Sequence, residues 1–189
     1  MRRVRYSVAT SLDGYIGGPH GEADWILMDP DIDFNAIFKQ FDTLLVGGNT
    51  FRSLTGAKKK GAKLFGMRTY VFSRTLKPED HPDVIIVGEE EAADTVNALR
   101  AGEGKDIWLF GGGQLFRSLV SAGVVDSVEV AVIPVLLGQG IPLFPAPAPK
   151  APLKLVKHTL YPKTGTLLLE YSIDRSTPSS RPSRKARRR

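Results

Sequence analysis

Residues 106–116 read DIWLFGGGQLF, and the change of character inside that stretch decides the fold. Ile107 to Phe110 is an unbroken apolar run, which marks a central strand covered on both faces. Gly111, Gly112 and Gly113 follow, and Leu115, Phe116, Leu119 and Val120 then recur at helical spacing up to Gly123. A buried strand that passes through glycine into a helix belongs to an α/β sheet, where ligands lie in the crevice at the carboxyl ends of strands. Glycine lets an anion approach the backbone, and the free N–H groups and positive dipole end at a helix start hold phosphate.

Outward from this stretch, strands and helices alternate. RVRYSVATS (3–11) places Val4, Tyr6 and Val8 on one face and Arg5, Ser7 and Ala9 on the other, the period of a strand. Phe34, Ile37, Phe38 and Phe41 give residues 32–41 a helical stripe. Strands are predicted at 42–47, 68–73, 83–88 and 127–135, and helices near Thr50 and over 90–100, with Gly102 as a stop. LKLVKHTLYP (153–162) and GTLLLEYSI (165–173) read as a closing antiparallel hairpin. PLFPAPAPKAP (142–152) is too rich in proline to be helical. The fold class is α/β, a mixed, mostly parallel sheet with a C-terminal hairpin.

The 189 residues suit one domain, placed at 1–174. The absence of cysteine excludes disulfides, thiolate metal sites and cysteine nucleophiles, and His20, His81 and His158 lack the spacing of paired zinc ligands on one helix. No metal is expected. The net charge of +6 comes from the end of the chain: seven of the 26 Lys and Arg lie in 175–189, which leaves 19 bases against 20 acids in the body. That segment, RSTPSSRPSRKARRR, is predicted to be a disordered basic tail, either a solvated extension or a nucleic-acid arm. No run approaches the roughly 20 apolar residues of a membrane span. MRRVRYSVATSLDG has no apolar core of a secretory signal, so a cytoplasmic location is expected.

Two further junctions share the strand-end signature of 108–116: LLVGGNTFRS (44–53) and VFSRTL (71–76). Neither glycine cluster fits the GxGxxG fingerprint of a standard dinucleotide fold. Two junctions are suited to a diphosphate, and Ser73 with Arg74 to an extra phosphate on a ribose. A tight turn at the glycines, an N-cap at Thr50 and a surface charge at Arg74 are the alternative roles.

ATSLDGYIG (9–17), a loop with a tryptophan, an acidic residue opening a helix, GGNTFRS (47–53), FSR (72–74), FGGGQLF (110–116) and PVLLGQGIPLF (134–144) occur in that order. The chain thereby resembles the dihydrofolate reductase superfamily over about residues 3–173. Within it, the resemblance is to short reductases related to the C-terminal reductase domain of the bacterial riboflavin-biosynthesis deaminase/reductase. The resemblance implies an NADPH-dependent reductase of a small planar heterocycle. It would bind the nicotinamide through backbone at Ala9 and Ile16, with Gly17 in the loop above it. Gly48, Asn49 and Thr50 would contact phosphate, and Ser73 and Arg74 the ribose phosphate. Gly111 and Gly112 would be joined by a cis peptide, with Gly113, Gln114 and Leu115 continuing the phosphate contact.

For substrate, the resemblance implies Asp31 as the catalytic carboxylate, with Asp33 as competitor and helix capping as the other role of either. Trp25 and Phe34 would face a flat substrate, and Lys39 approximates an arginine expected on the helix. The chain departs from the pattern at Gly111, where the riboflavin-pathway reductase typically has a glutamate. It departs from dihydrofolate reductase at Asp24–Trp25, in place of a proline–tryptophan pair, and at Ala131, in place of a supporting threonine. Reduction of 5-amino-6-(5-phosphoribosylamino)uracil, reduction of dihydrofolate and non-catalytic nucleotide binding are the alternatives. A homodimer is expected, through 127–135 and 142–152.

Overall fold

The computed structural model describes residues 1–56 and 64–175. Its frame is an eight-stranded sheet centred on the apolar run. The strands are β1 (Val4–Ser11), β3 (Phe41–Gly47), β4 (Arg68–Phe72), β5 (Ile85–Val87), β6 (Asp106–Gly111), β7 (Ser127–Ile133), β9 (Leu153–Tyr161) and β10 (Thr166–Ile173), in the order β5-β4-β3-β6-β1-β7-β10-β9. From β5 to β7 all pairings are parallel; β10 runs antiparallel to both β7 and β9. A second small sheet joins β2 (Tyr15–Gly17) to β8 (Ile141–Pro142).

Helices cover both faces, as a parallel sheet requires. Tyr6, Leu45, Ile107 and Leu109 pack with Val96 of α3 (Ala92–Ala101) and with Phe116 and Leu119 of α4 (Gly113–Ser121). On the other face, Trp108 and Leu44 meet Ile37 and Phe38 of α1 (Phe34–Phe38), while Val46 and Val71 meet Phe51 of α2 (Gly48–Thr55). Burial of such side chains is worth roughly 1.5–3 kcal/mol each.

The polar side of β1 is buried too. Arg5 Nε and Nη2 donate to Glu129 Oε1 and Oε2 at 2.6 and 2.8 Å, and its guanidinium lies 4.7 Å from the Phe41 ring centre. Burial pulls the Arg5 guanidinium pKa down, but its bonds and charge pairing with Glu129, and with Asp106, outweigh that and hold it above its ordinary value.

Several boundaries differ from the sequence reading. The helix predicted over 32–41 is confined to Phe34–Phe38, because Asp33 caps it (Ala36 N to Oδ1, 2.9 Å) and Phe41 is drawn into β3 opposite Asp106. The α2 helix opens at Gly48 with Gly47 as cap, so Thr50 is not an N-cap. Glu89–Glu91 form a separate 3₁₀ turn before α3. The strand predicted over 127–135 is β7, which ends at Ile133 and lies between β1 and β10 in the sheet. Arg175 belongs to the body, since its Nη2 donates to Asp126 Oδ1 at 2.9 Å and to the Val125 carbonyl at 3.1 Å. The rest of the predicted tail, 176–189, lies outside the described residues. Among these, no helix is long and apolar enough to cross a membrane.

Candidate active site

At the carboxyl ends of β3 and β6 the chain turns straight into α2 and α4. Both helices have glycine caps, Gly47 and Gly112, with no side chain bonded to their first N–H groups. Bare helix starts of this kind hold anions. Glycine is required by crowding. A Cβ on Gly48 would lie 2.8 Å from Ser73 Oγ, and one on Gly113 would lie 2.6 Å from the Pro142 carbonyl. Gly111 has φ +122° and is joined to Gly112 by a cis peptide.

These ends open on a groove of about 1570 Å³. That exceeds the roughly 300–1,000 Å³ of an ordinary small-molecule pocket and leaves room for two molecules. Ala9, Ile16, Gly17, Gly48, Asn49, Thr50, Ser73, Arg74, Gly112, Gly113, Gln114 and Leu115 all line it, so the three predicted junctions converge. Gly111 lies just behind it, against Tyr6.

The β4 end of the groove is polar. Ser73 Oγ accepts the N–H groups of Thr75 and Leu76, each at 3.2 Å. Arg74 Nε pairs with Glu89 Oε2 at 3.0 Å. Arg52, which the sequence reading passed over, lies on the same wall. Its two terminal nitrogens reach Asn49 Oδ1 (2.7 Å) and Thr75 Oγ1 (2.6 Å). The i, i+3 spacing of Asn49 and Arg52 on one helix face was the available signal. Arg117 of α4 adds a third guanidinium to the lining.

The β1–β7 end is apolar and aromatic. Trp108 and Phe110 of β6 form the floor with Ala131 and Leu168, and Phe34 and Phe38 of α1 form a wall with Ile32. Ring centres of Phe38, Phe65 and Phe110 lie 5.3–5.5 Å from that of Trp108. Trp108 Nε1 donates to the Ser7 carbonyl at 3.0 Å, which fixes the indole.

The β2 segment lines the groove through Ile16 and Gly17 and is held from outside the lining. Asp13 accepts from Ser11 Oγ (2.6 Å), Gly138 N (2.7 Å) and Leu137 N (3.2 Å), tying the segment before β2 to the bend before β8. The Ser11 hydroxyl, the largest influence, and these N–H groups hold the Asp13 carboxyl below its usual range.

Three predicted substrate-side residues fall elsewhere. Asp31 does not line the groove; its half-exposed carboxylate faces outward to Lys163 Nζ at 2.7 Å, and this pair raises the Lys163 pKa. Asp33 is spent on capping α1. The buried carboxylate of this loop is Asp29, which accepts from Asp31 N, Thr164 N and Thr164 Oγ1 at 2.9–3.0 Å. Burial pushes its pKa up, and these bonds outweigh that and bring it below the usual range. Trp25 is outside the lining, its Nε1 donating to the Glu22 carbonyl at 3.0 Å. Lys39 is the exposed cap at the end of α1, also outside the lining. Phe34 does line the groove.

Similarity to known proteins agrees with this architecture. The chain is 36% identical over 167 residues to the uncharacterized protein YyaP of Bacillus subtilis (strain 168), covering 82% of this chain and 87% of that one. It is 30% identical over 150 residues to the uncharacterized protein YwjB of the same organism, covering 76% and 83%. A putative riboflavin biosynthesis protein from Shewanella sp. PV-4 superposes with TM-score 0.72 at 24% identity, covering 93% of this chain and all of that one. Dihydrofolate reductase from Enterococcus faecalis superposes with TM-score 0.64 at 18% identity, covering 91% and 96%. These two share the fold. The model of the RibD C-terminal domain matches residues 2–167, nearly all of the described body, and the chain belongs to that family.

Proposed function

We propose that this chain is a reductase that holds NADPH along the strand ends and passes hydride to a small, flat, conjugated acceptor. One observation carries the reading: two helix starts with no side-chain cap share a single groove with arginines at one end and an aromatic floor at the other. The fit to the cofactor rests on chemistry present in the chain. A Cβ would lie 2.8 Å from Ser73 Oγ at Gly48, 3.0 Å from Thr50 Oγ1 at Gly112 and 2.6 Å from the Pro142 carbonyl at Gly113. Packing within the chain thus keeps the backbone bare there, and bare backbone lets a diphosphate approach closely. Arg52 and Arg74, beside Ser73, suit a ribose phosphate. When bound, reduced nicotinamide supplies the hydride. The protein's part is positioning. Backbone at Ala9 and Ile16 borders the nicotinamide place, the Asp13 clasp holds the covering loop, and the apolar floor excludes water.

Titration of protein fluorescence with NADPH and NADH tests the reading, followed by loss of reduced-nicotinamide absorbance against conjugated acceptors. Saturable binding with preference for NADPH is expected; equal or absent binding of both removes it.

We also propose a homodimer, with a second copy on the edge strand β9. This strand pairs with β10 on one side and exposes Leu155, Val156 and Leu160 at 48, 66 and 61%. Among the described residues no strand pairs with its other side, and an edge of this kind invites antiparallel pairing. Light scattering should give twice the chain mass, and Val156→Lys should return the monomer.

A further inference from the structure

We infer that the acceptor reduced in this groove is a neutral conjugated carbonyl compound of the quinone class, an assignment that rests on the reductase reading above. Among the described residues that line the groove, the titratable side chains are Arg52, Arg74, Arg117, Glu89 and Tyr161. Glu89, the one carboxylate, is engaged by Arg74 beside the β4 end. Asp29, Asp31 and Asp33 are directed to Thr164, Lys163 and the first turn of α1. The sequences of 57–63 and 176–189 contain no Asp, Glu or His. The aromatic end therefore has neither a carboxylate nor an imidazole to protonate an acceptor or to receive the N–H edge of one.

That shortage selects the acceptor. Pteridines and aminopyrimidines carry several N–H donors, each of which loses water on entry and costs free energy if left unpaired. A phosphorylated substrate needs a cation, and among the described residues of the lining the cations are Arg52 and Arg74 at the polar end and Arg117 on α4. A quinone presents carbonyl acceptors alone, for which the hydroxyls of Ser7 and Tyr161 in the lining suffice. Its flat ring matches the offset and edge-on faces of Trp108, Phe110 and Phe38. The chemistry also dispenses with a side-chain acid. The acceptor gains a hydride (one proton and two electrons) from the reduced nicotinamide and a second proton from water, giving hydroquinone and oxidised nicotinamide. The oxide left by hydride addition is phenolate-like, basic enough to be quenched by water with no carboxylic acid in between.

Trp25→Phe leaves Trp108 as the only tryptophan, so binding is read at the floor itself. Titrating this full-length variant with a methylnaphthoquinone, with and without NADPH, should quench Trp108 emission saturably, and Phe34→Ala added to it should weaken that binding at least fivefold. With NADPH, the wild-type chain should reduce the naphthoquinone one-to-one, with no loss of rate on the alkaline side from titration of a protein acid. NADPH binding without saturable naphthoquinone quenching, or quenching without turnover, overturns the assignment. So does turnover of a dihydropteridine or a ribosylaminopyrimidine in place of the quinone, which leaves the reductase reading standing. Failure to bind NADPH at all removes that reading and this one together.

Discussion

Gly48 and Ser73 face each other so closely that a Cβ on the glycine would lie 2.8 Å from the serine Oγ. That oxygen is already committed to the N–H groups of Thr75 and Leu76. The start of α2 and the end of β4 are thereby held at one fixed separation, which sets the width of the polar end of the groove. Gly48→Ala has to displace Ser73 and its turn. We expect NADPH affinity to fall about tenfold, roughly 1.4 kcal/mol, with the chain still folded by circular dichroism.

Arg74 and Glu89 form an ion pair 3.0 Å apart, and if the groove holds NADPH as proposed, this pair should govern cofactor choice in both directions. Both side chains are more than half exposed, so the pair itself adds little stability. Glu89→Gln should free the guanidinium, tighten NADPH several-fold and widen the preference over NADH. Arg74→Ala should narrow that preference about tenfold, as expected for loss of one charge-assisted contact. Parallel titrations with both nucleotides at two salt concentrations check this. Unchanged selectivity in both variants would remove Arg74 from the phosphate site.

Asp13 ties the covering loop to Leu137 and Gly138. Asp13→Ala should lower kcat more than it raises KM, with Asp13→Asn keeping part of the rate because it retains one acceptor oxygen. The Asp13 carboxyl is held below its ordinary range by Ser11 and the two N–H groups. Its contribution is therefore complete above the unfolded carboxylate value of about 3.9 and is lost as pH falls through the lower folded value. Turnover should accordingly show no acid limb from this loop at pH values above the carboxylate range.

Tyr6 is fully buried, stacked on Phe116 with ring centres 3.7 Å apart, and its hydroxyl has no hydrogen-bond partner among the described residues. Burial pushes its pKa far up, so it stays neutral. Tyr6→Phe keeps the stack and removes an unpaired polar atom. Stability should be unchanged or rise by about 1 kcal/mol in urea unfolding, whereas Tyr6→Ala should cost about 3–5 kcal/mol.

The strand ends were readable because their information is local. Gly47–Thr50 and Gly111–Leu115 specify a tight exit from a strand and a helix start within a few residues, and all three junctions do meet in one groove. The carboxylates of 29–33 were not readable. Which of Asp29, Asp31 and Asp33 turns inward is set by Lys163 and Thr164, 132 and 135 positions further along the chain. The pairing of β2 with β8 escaped for the same reason, since strands of three and two residues carry no periodicity. Arg52 was passed over because an arginine on an exposed helix face has the pattern of a solvated charge, and only the approach of Thr75 from the next strand end gives it a place.

The two residues that fasten the loop beside the aromatic floor, Lys163 and Thr164, sit in the turn of the last hairpin. During synthesis the floor strands emerge long before their clamp does. A chain cut after β7 would keep Trp108 and Phe110 in sequence yet lose the tether of the segment carrying Ile32. The last hairpin thus completes the aromatic end of the groove. Lys163→Ala with Thr164→Ala should loosen that end while leaving the glycine-lined helix starts, which these residues do not touch, in place.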